Sequence, residues 1–237
     1  MQNVAIIGTT GSIGKAFLEY YVSDNTTDKV YSISRSKNNV EDKKIVNLDL
    51  NLTNKNDYVK LSSFIPKNSL DKVIIASGIL HDDDLQPDKT ISSIDLDNFQ
   101  KIFSVNAFAP ALLLKIFFPL IRRNENALIG ILSARVGSIS DNRIGGWYAY
   151  RASKAALNMI IKTAAIELAR KDKTAKLIGL HPGTVDTNLS KPFQGGTPKG
   201  KIFTPSQSIN YLTKVIDSTT PQDTGKIFDW EGKEITA

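Results

Sequence analysis

Tyr150 and Lys154 stand four residues apart in the run Tyr148-Ala149-Tyr150-Arg151-Ala152-Ser153-Lys154. On a helix, side chains at that spacing share one face. A phenol titrates near ~10 and is a poor acid at neutral pH. An ammonium beside it favours the phenolate and lowers that value. Such a tyrosine can exchange a proton with a substrate oxygen. Many helices carry this pair, so its meaning depends on what the fold brings near it.

The partner feature lies at the other end of the chain. Gly8-Thr9-Thr10-Gly11-Ser12-Ile13-Gly14 follows the apolar run Val4-Ala5-Ile6-Ile7 and opens a helical pattern. A strand, a glycine turn and a helix start are the context of a dinucleotide site. Glycines permit a tight turn, close approach to pyrophosphate and close helix–strand packing. The helix start adds free N–H groups and partial positive charge. Thr9, Thr10 and Ser12 can add hydroxyl donors. After the second apolar run stands Ser34-Arg35-Ser36, with no acidic residue to bond a ribose. Arg35 can pair with a 2′-phosphate instead, which favours NADP over NAD.

These groups need a scaffold. Apolar runs at residues 4–7, 30–33, 44–48, 71–76, 127–132, 176–180 and 226–229 read as strands. Helical patterns cover 12–22, 57–64, 148–170 and 205–217, and a long one, bent near Pro110 and Pro119, covers 96–123. Short apolar strands alternating with helices predict a parallel sheet with helices on both faces. The expectation is an α/β chain folded as one Rossmann-type, doubly wound domain over residues 1–237, with about seven mainly parallel strands. Ligands of such sheets bind outside the carboxyl ends of the strands, where strand order reverses.

Composition narrows the classes. The 237 residues are 41% hydrophobic, enough for a full core. With no cysteine, disulfides and thiolate metal sites are excluded. The net charge of +6 comes from scattered basic residues without a stripe, so no nucleic-acid partner is expected. The longest apolar stretch, 104–121, is interrupted by Pro110, Lys115 and Pro119 and makes a poor membrane span. The start lacks a signal-peptide pattern, and a cytoplasmic protein is expected. No metal site is expected: His81 stands beside Asp82-Asp83-Asp84 without a second histidine, as a solvated acidic loop. His181, before Pro182, reads as structural.

Taken together, these features resemble the short-chain dehydrogenase/reductase family, over nearly the whole chain. The fit is best to its carbonyl-reductase-like branch, which includes bacterial C-factor-type proteins. The resemblance is carried by Ser133-Ala134-Arg135-Val136-Gly137-Ser138-Ile139, by Gly145-Gly146-Trp147 with the tyrosine run through Asn158, and by Phe228-Asp229-Trp230-Glu231-Gly232. It implies Tyr150 as acid/base and Lys154 as holder of the nicotinamide ribose. It implies Asn106 as support of a proton relay, and Asp49, with Leu50 beside it, as an adenine contact. Ala76-Ser77-Gly78 would flank the adenosine ribose. Pro182, Gly183, Val185 and Thr187 would lie near the carboxamide, and Gly8, Gly11, Ile13 and Gly14 would hold the pyrophosphate. The resemblance also implies a homodimer or homotetramer paired through the 148–170 helix and its neighbour.

Three departures stand out. The glycine spacing Gly-x-x-Gly-x-x-Gly is similar to that of epimerase-like relatives, which carry a larger C-terminal substrate region. Ile75-Ala76-Ser77-Gly78 replaces the usual Asn-Asn-Ala-Gly. Ala134 occupies the place of the serine that polarises substrate, leaving Ser133 as first candidate and Ser138 as second. Trp147 is a candidate for the substrate entrance, Tyr148 for a pocket wall, and the loop at 191–200 for a flexible lid. The expected function is NADPH-dependent reduction of a small carbonyl, or the reverse oxidation of an alcohol. Alternatives are a non-catalytic NADP(H)-binding sensor and, with less support, an epimerase.

Overall fold

The computed structural model of the chain describes every residue except Thr197, Lys199 and Ala237. Seven strands form one sheet: β1 (Gln2–Ile7), β2 (Thr27–Ser34), β3 (Ile45–Asp49), β4 (Lys72–Ile75), β5 (Leu128–Leu132), β6 (Lys176–His181) and, last in the chain, β9 (Ile227–Asp229). Their order is β3-β2-β1-β4-β5-β6-β9, and every pairing is parallel. The chain winds outward from β1 to β3, then returns to β4 on the other side of β1. That reversal opens a crevice between the ends of β1 and β4. A separate pair, β7 (Thr184–Val185) with β8 (Ile202–Phe203), was not legible in the sequence, since two residues show no periodicity.

The apolar runs are continuous because both sheet faces are covered. Val4, Ala5, Ile6 and Ile7 are all fully buried. Ala5 and Ile7 pack with α2 (Lys55–Phe64), α4 (Ala109–Phe117) and α5 (Tyr148–Lys171). Val4 and Ile6 point the other way, to α1 (Ser12–Ser23) and α6 (Pro205–Ser218). Each such side chain contributes on the order of 2 kcal/mol of transfer free energy. In α5, Tyr150, Ser153, Lys154, Leu157, Asn158, Ile161, Ala165 and Leu168 are buried, the recurrence that turns one helix face inward.

The expected long helix at 96–123 is broken and shorter. α3 (Leu96–Phe103) passes into a π-helical turn at Ser104–Phe108, and α4 ends at Phe117. Pro110 has no N–H to give to the carbonyl of Asn106, so the ordinary ladder is interrupted there. π turns inside helices frequently mark functional positions, and this one contains Asn106. The 191–200 loop begins as a 3₁₀ turn over Lys191–Gly196; its Thr197 and Lys199 lie outside the described residues. No helix of the described residues is long and apolar enough to cross a membrane.

The first turn is packed backbone against backbone. A Cβ added to Gly14 would stand 2.1 Å from the carbonyl oxygen of Gly8 and 2.7 Å from its carbon. Neither atom can rotate away. Gly14→Ala should therefore lower the unfolding free energy by about 2 kcal/mol or more, read by urea denaturation. A loss below ~0.5 kcal/mol would show that α1 backs away freely from β1.

Candidate active site

A cavity of about 680 Å³ lies at the carboxyl ends of β1, β2 and β4. Gly8, Thr10, Gly11, Arg35, Leu50, Ala76, Ser77 and Gly78 line it. The N–H of Gly11 donates to the Gly8 carbonyl at 3.0 Å and closes the turn. The next three N–H groups, of Ser12, Ile13 and Gly14, bond no described residue, and no side chain caps the helix. Such a helix start attracts an anion. The Ser77 hydroxyl is buried without a partner. Arg35 is exposed on the cavity wall and forms no ion pair among the described residues.

Two expectations for this region are corrected. Thr9 offers no donor to a ligand: it is fully buried, and its hydroxyl bonds Ser32 at 2.8 Å and Ser34 at 3.2 Å. Asp49 does not line the cavity; Leu50, Asn51, Leu52 and Thr53 do, because the chain turns inward only after β3 ends. No motif pointed to Asn38, whose amide nitrogen bonds Ser32 at 2.7 Å and Asn47 at 2.6 Å. With the Thr9 bonds, this buried network ties the turn after β1 to the segment carrying Arg35.

The second half of the site is built on α5. Tyr150 and Lys154 are both nearly buried, with the ammonium 5.9 Å from the centroid of the phenol ring. Lys154 Nζ donates to the Leu132 carbonyl at the end of β5, at 3.0 Å. It also stands 3.7 Å from where a Cβ on Gly78 would lie, so it reaches the nucleotide cleft. The expected lowering of the tyrosine pKa is not met. Burial pushes the Tyr150 phenol up to about 12 and the Lys154 ammonium down to about 8. The ammonium is engaged by a carbonyl and faces the ring, so desolvation decides both values.

Asn106 is fully buried and satisfied by protein groups. It accepts from the Ile79 N–H and donates to the Ile79 carbonyl, both at 2.8 Å, and donates to Ser153 Oγ at 3.2 Å. Ser153 Oγ in turn donates to the Tyr150 carbonyl at 2.8 Å. Asn106 thus braces the segment after β4 against the helix of Tyr150. Gly137 fixes the helix from another side: a Cβ there would meet backbone and Cβ atoms of Lys154 at 2.8 Å.

A smaller cavity of about 200 Å³ surrounds the phenol. Ile13, Ser133, Ala134, Tyr150, Pro182, Gly183, Val185 and Thr187 line it, and so does His181. Ser138 does not; it is buried in its own turn and accepts from the Asp141 N–H at 3.1 Å. Ser133 reaches the cavity, but its hydroxyl donates to Asn158 Oδ1 at 2.6 Å. Trp147 packs edge-on to Tyr150 at 6.1 Å and to Phe193 at 5.0 Å between centroids, and forms the apolar wall. Its backbone is left-handed at φ 52°, a conformation that needs external support. Asp88 supplies it: its carbonyl accepts from the Trp147 N–H, and its carboxylate accepts from the Ala149 N–H at 3.1 Å. The sequence carried no signal for Asp88, a long-range cap of α5.

Tyr148 is exposed and lies off this cavity, because it starts α5 on the outer face. His81 is more than a solvated loop residue: its Nε2 meets the carbonyls of Asn188 and Leu189 at 3.1 and 3.2 Å, and its ring packs on Phe193. Among the described residues no three His, Asp or Glu side chains gather in a way that could hold a metal ion.

Comparison with known proteins agrees with this geometry. A family model described as short chain dehydrogenase matches residues 2–196. The chain is 36% identical over 163 residues to 1-hydroxy-2-glutathionyl-2-methyl-3-butene dehydrogenase of Rhodococcus sp. (strain AD45), a match spanning 69% of this chain and 66% of that protein. It is 31% identical over 145 residues to C-signal of Myxococcus xanthus, spanning 61% of this chain and 82% of that one. The fold superposes on the crystal structure of NADPH-bound carbonyl reductase from chicken fatty liver with a TM-score of 0.84, at 23% identity, over 100% of this chain and 99% of the other. With the glycine turn on β1 and the buried tyrosine–lysine pair on α5 meeting at one sheet edge, this chain belongs to the short-chain dehydrogenase family of oxidoreductases.

Proposed function

We propose that the chain, as one catalytic unit over residues 1–237, is a cytoplasmic NADP(H)-dependent reductase of a small carbonyl compound, reversible toward the alcohol. The observation that carries this assignment is the meeting of two cavities: Lys154, beside Tyr150, stands against Gly78 of the nucleotide cleft. The cleft suits NADP(H) by its own features. Free N–H groups at the start of α1 suit a pyrophosphate, the Ser77 hydroxyl lacks a partner, and Arg35 is an unpaired cation where a 2′-phosphate would lie.

The cofactor would supply the hydride. Tyr150, with its pKa near 12, keeps its proton at neutral pH and is suited to give it to the more basic oxygen that develops as a carbonyl is reduced. Lys154 is anchored to the end of β5 and stands close to Gly78 beyond β4, beside that proton donor. Trp147, Leu80 and Phe193 exclude water and favour an apolar substrate body; the volume of about 200 Å³ favours a small one.

A non-catalytic NADP(H) binder is the second reading, favoured by the Ser133 hydrogen being given to Asn158. Exposed Phe108, Leu112, Met159 and Ile166 on and beside α4 and α5 support pairing of two copies through these helices.

Three measurements check these assignments. Tyr150→Phe should cut kcat in NADPH oxidation with carbonyls by about 10³-fold while NADPH affinity stays within about threefold. Retained turnover would remove the phenol from the chemistry, and wild-type NADPH binding without turnover on aldehydes, ketones and quinones would favour the binder. Arg35→Ala should weaken NADPH by about tenfold or more and NADH by less than about twofold. Equal losses would end the 2′-phosphate assignment. Sedimentation should give a dimer or larger at micromolar concentration, and Met159→Asp should shift it to monomer; a monomeric wild type would refute the pairing.

A further inference from the structure

A carbonyl oxygen receiving hydride develops negative charge, and a fixed donor beside the proton source stabilises it. Few groups around Tyr150 can serve. Ala134 carries no polar atom. The Ser133 hydrogen is held by Asn158. Arg135 is paired with Asp229 at 2.8 Å and Asp141 at 3.3 Å. Thr187 and Ser190 bond each other, and Ser190 bonds the Val185 carbonyl.

His181 is different. It ends β6, lines the cavity of Tyr150, and its ring makes no hydrogen bond among the described residues. Strand alternation sets its direction: Leu177 packs on the α5 face of the sheet and Leu180 on the α1 face, so His181 projects toward α5. The Ser133 N–H donates to the Leu180 carbonyl at 2.8 Å, so the imidazole emerges beside Ser133. Nδ1 is buried without a partner, and the ring lines the cavity, which makes Nε2 the candidate nitrogen for a ligand there. A buried N–H lacking an acceptor is rarer than an unshared lone pair. That preference favours the Nε2–H tautomer. Burial, helped by the Arg135 cation, holds the ring pKa down at about 4, so the imidazole is neutral and has one N–H to offer.

We propose that His181 donates a hydrogen bond from Nε2–H to the substrate oxygen, as the second donor beside Tyr150. The proposal rests on the reductase assignment above. The carbonyl carbon gains the hydride, its oxygen gains the Tyr150 proton, and His181 keeps its own.

The test uses His181→Phe and His181→Gln, with Ser133→Ala and Thr184→Val as comparisons, since Thr184 also lines the cavity. Each protein, loaded with NADP⁺, is titrated with trifluoroethanol, an acidic alcohol that mimics the alkoxide. His181→Phe should weaken trifluoroethanol by about tenfold or more with NADP⁺ affinity within about twofold, and should cut kcat by about 10²-fold or more. His181→Gln, which keeps a donor, should recover most of that loss, and Ser133→Ala and Thr184→Val, which alter the same cavity wall, should each lose less than His181→Phe. With two histidines in the chain, ring-nitrogen NMR of the wild type should show His181 protonated on Nε2, with that resonance moving when trifluoroethanol binds. An Nδ1–H tautomer, an unmoved resonance, or a His181→Phe protein that binds trifluoroethanol like the wild type overturns the role. So does transfer of the loss to Ser133→Ala or Thr184→Val. A wild type that fails to bind NADP⁺ overturns the reductase assignment and this proposal together; intact NADP⁺ binding with an unaffected His181→Phe overturns this one alone.

Discussion

Parallel strand direction is the constraint on which the rest of this molecule depends. Every pairing in the seven-stranded sheet is parallel, so every strand delivers its next residue to the same edge. Gly8 follows β1, Arg35 follows β2, Ala76 follows β4, Ser133 follows β5, and His181 closes β6. Residues far apart in the chain become neighbours without any dedicated contact between them. The reversal between β1 and β4 then leaves room at that edge, since connections depart from it in opposite directions.

Placing a helix over that edge requires polar groups in dry surroundings. α5 is held by Lys154 on the Leu132 carbonyl, by Asp88 on its first N–H groups, and by contact with Gly137. A buried ammonium is unfavourable unless a partner offsets lost hydration, and one carbonyl does so only in part. Its depressed pKa expresses that residue of strain, and the raised pKa of Tyr150 has the same origin. The phenol is thereby kept protonated, which suits a donor to a basic alkoxide and disfavours its use as a standing base.

Around the two cavities, hydrogen-bond saturation separates scaffold from chemistry. Asn106, Ser153, Thr9, Ser32 and Asn38 all have protein partners and shape the site from behind. Ser77, Arg35 and His181 face the cavities with capacity unused. A conventional inspection of residue types would group serines together; their partners divide them. Ser133 and Ser77 each stand just beyond or close to a strand end, yet only Ser77 has its hydroxyl unclaimed.

Residue types and their spacing were enough to read the architecture and the principal pair. Apolar runs of strand length had to be buried on both faces, and glycine at positions 8 and 14 was demanded by backbone contact, a local requirement visible in residue type. Tyr150 and Lys154 were legible because four residues span about one helical turn. The rest came from the assembled fold. The break at Ser104–Phe108, the cap from Asp88, the inward turn after Asp49 and the free imbalance of His181 all depend on neighbours distant in the chain. So did the direction of the Tyr150 pKa. Spacing predicts which charges are near, but burial is set by the whole fold, and here desolvation outweighs proximity.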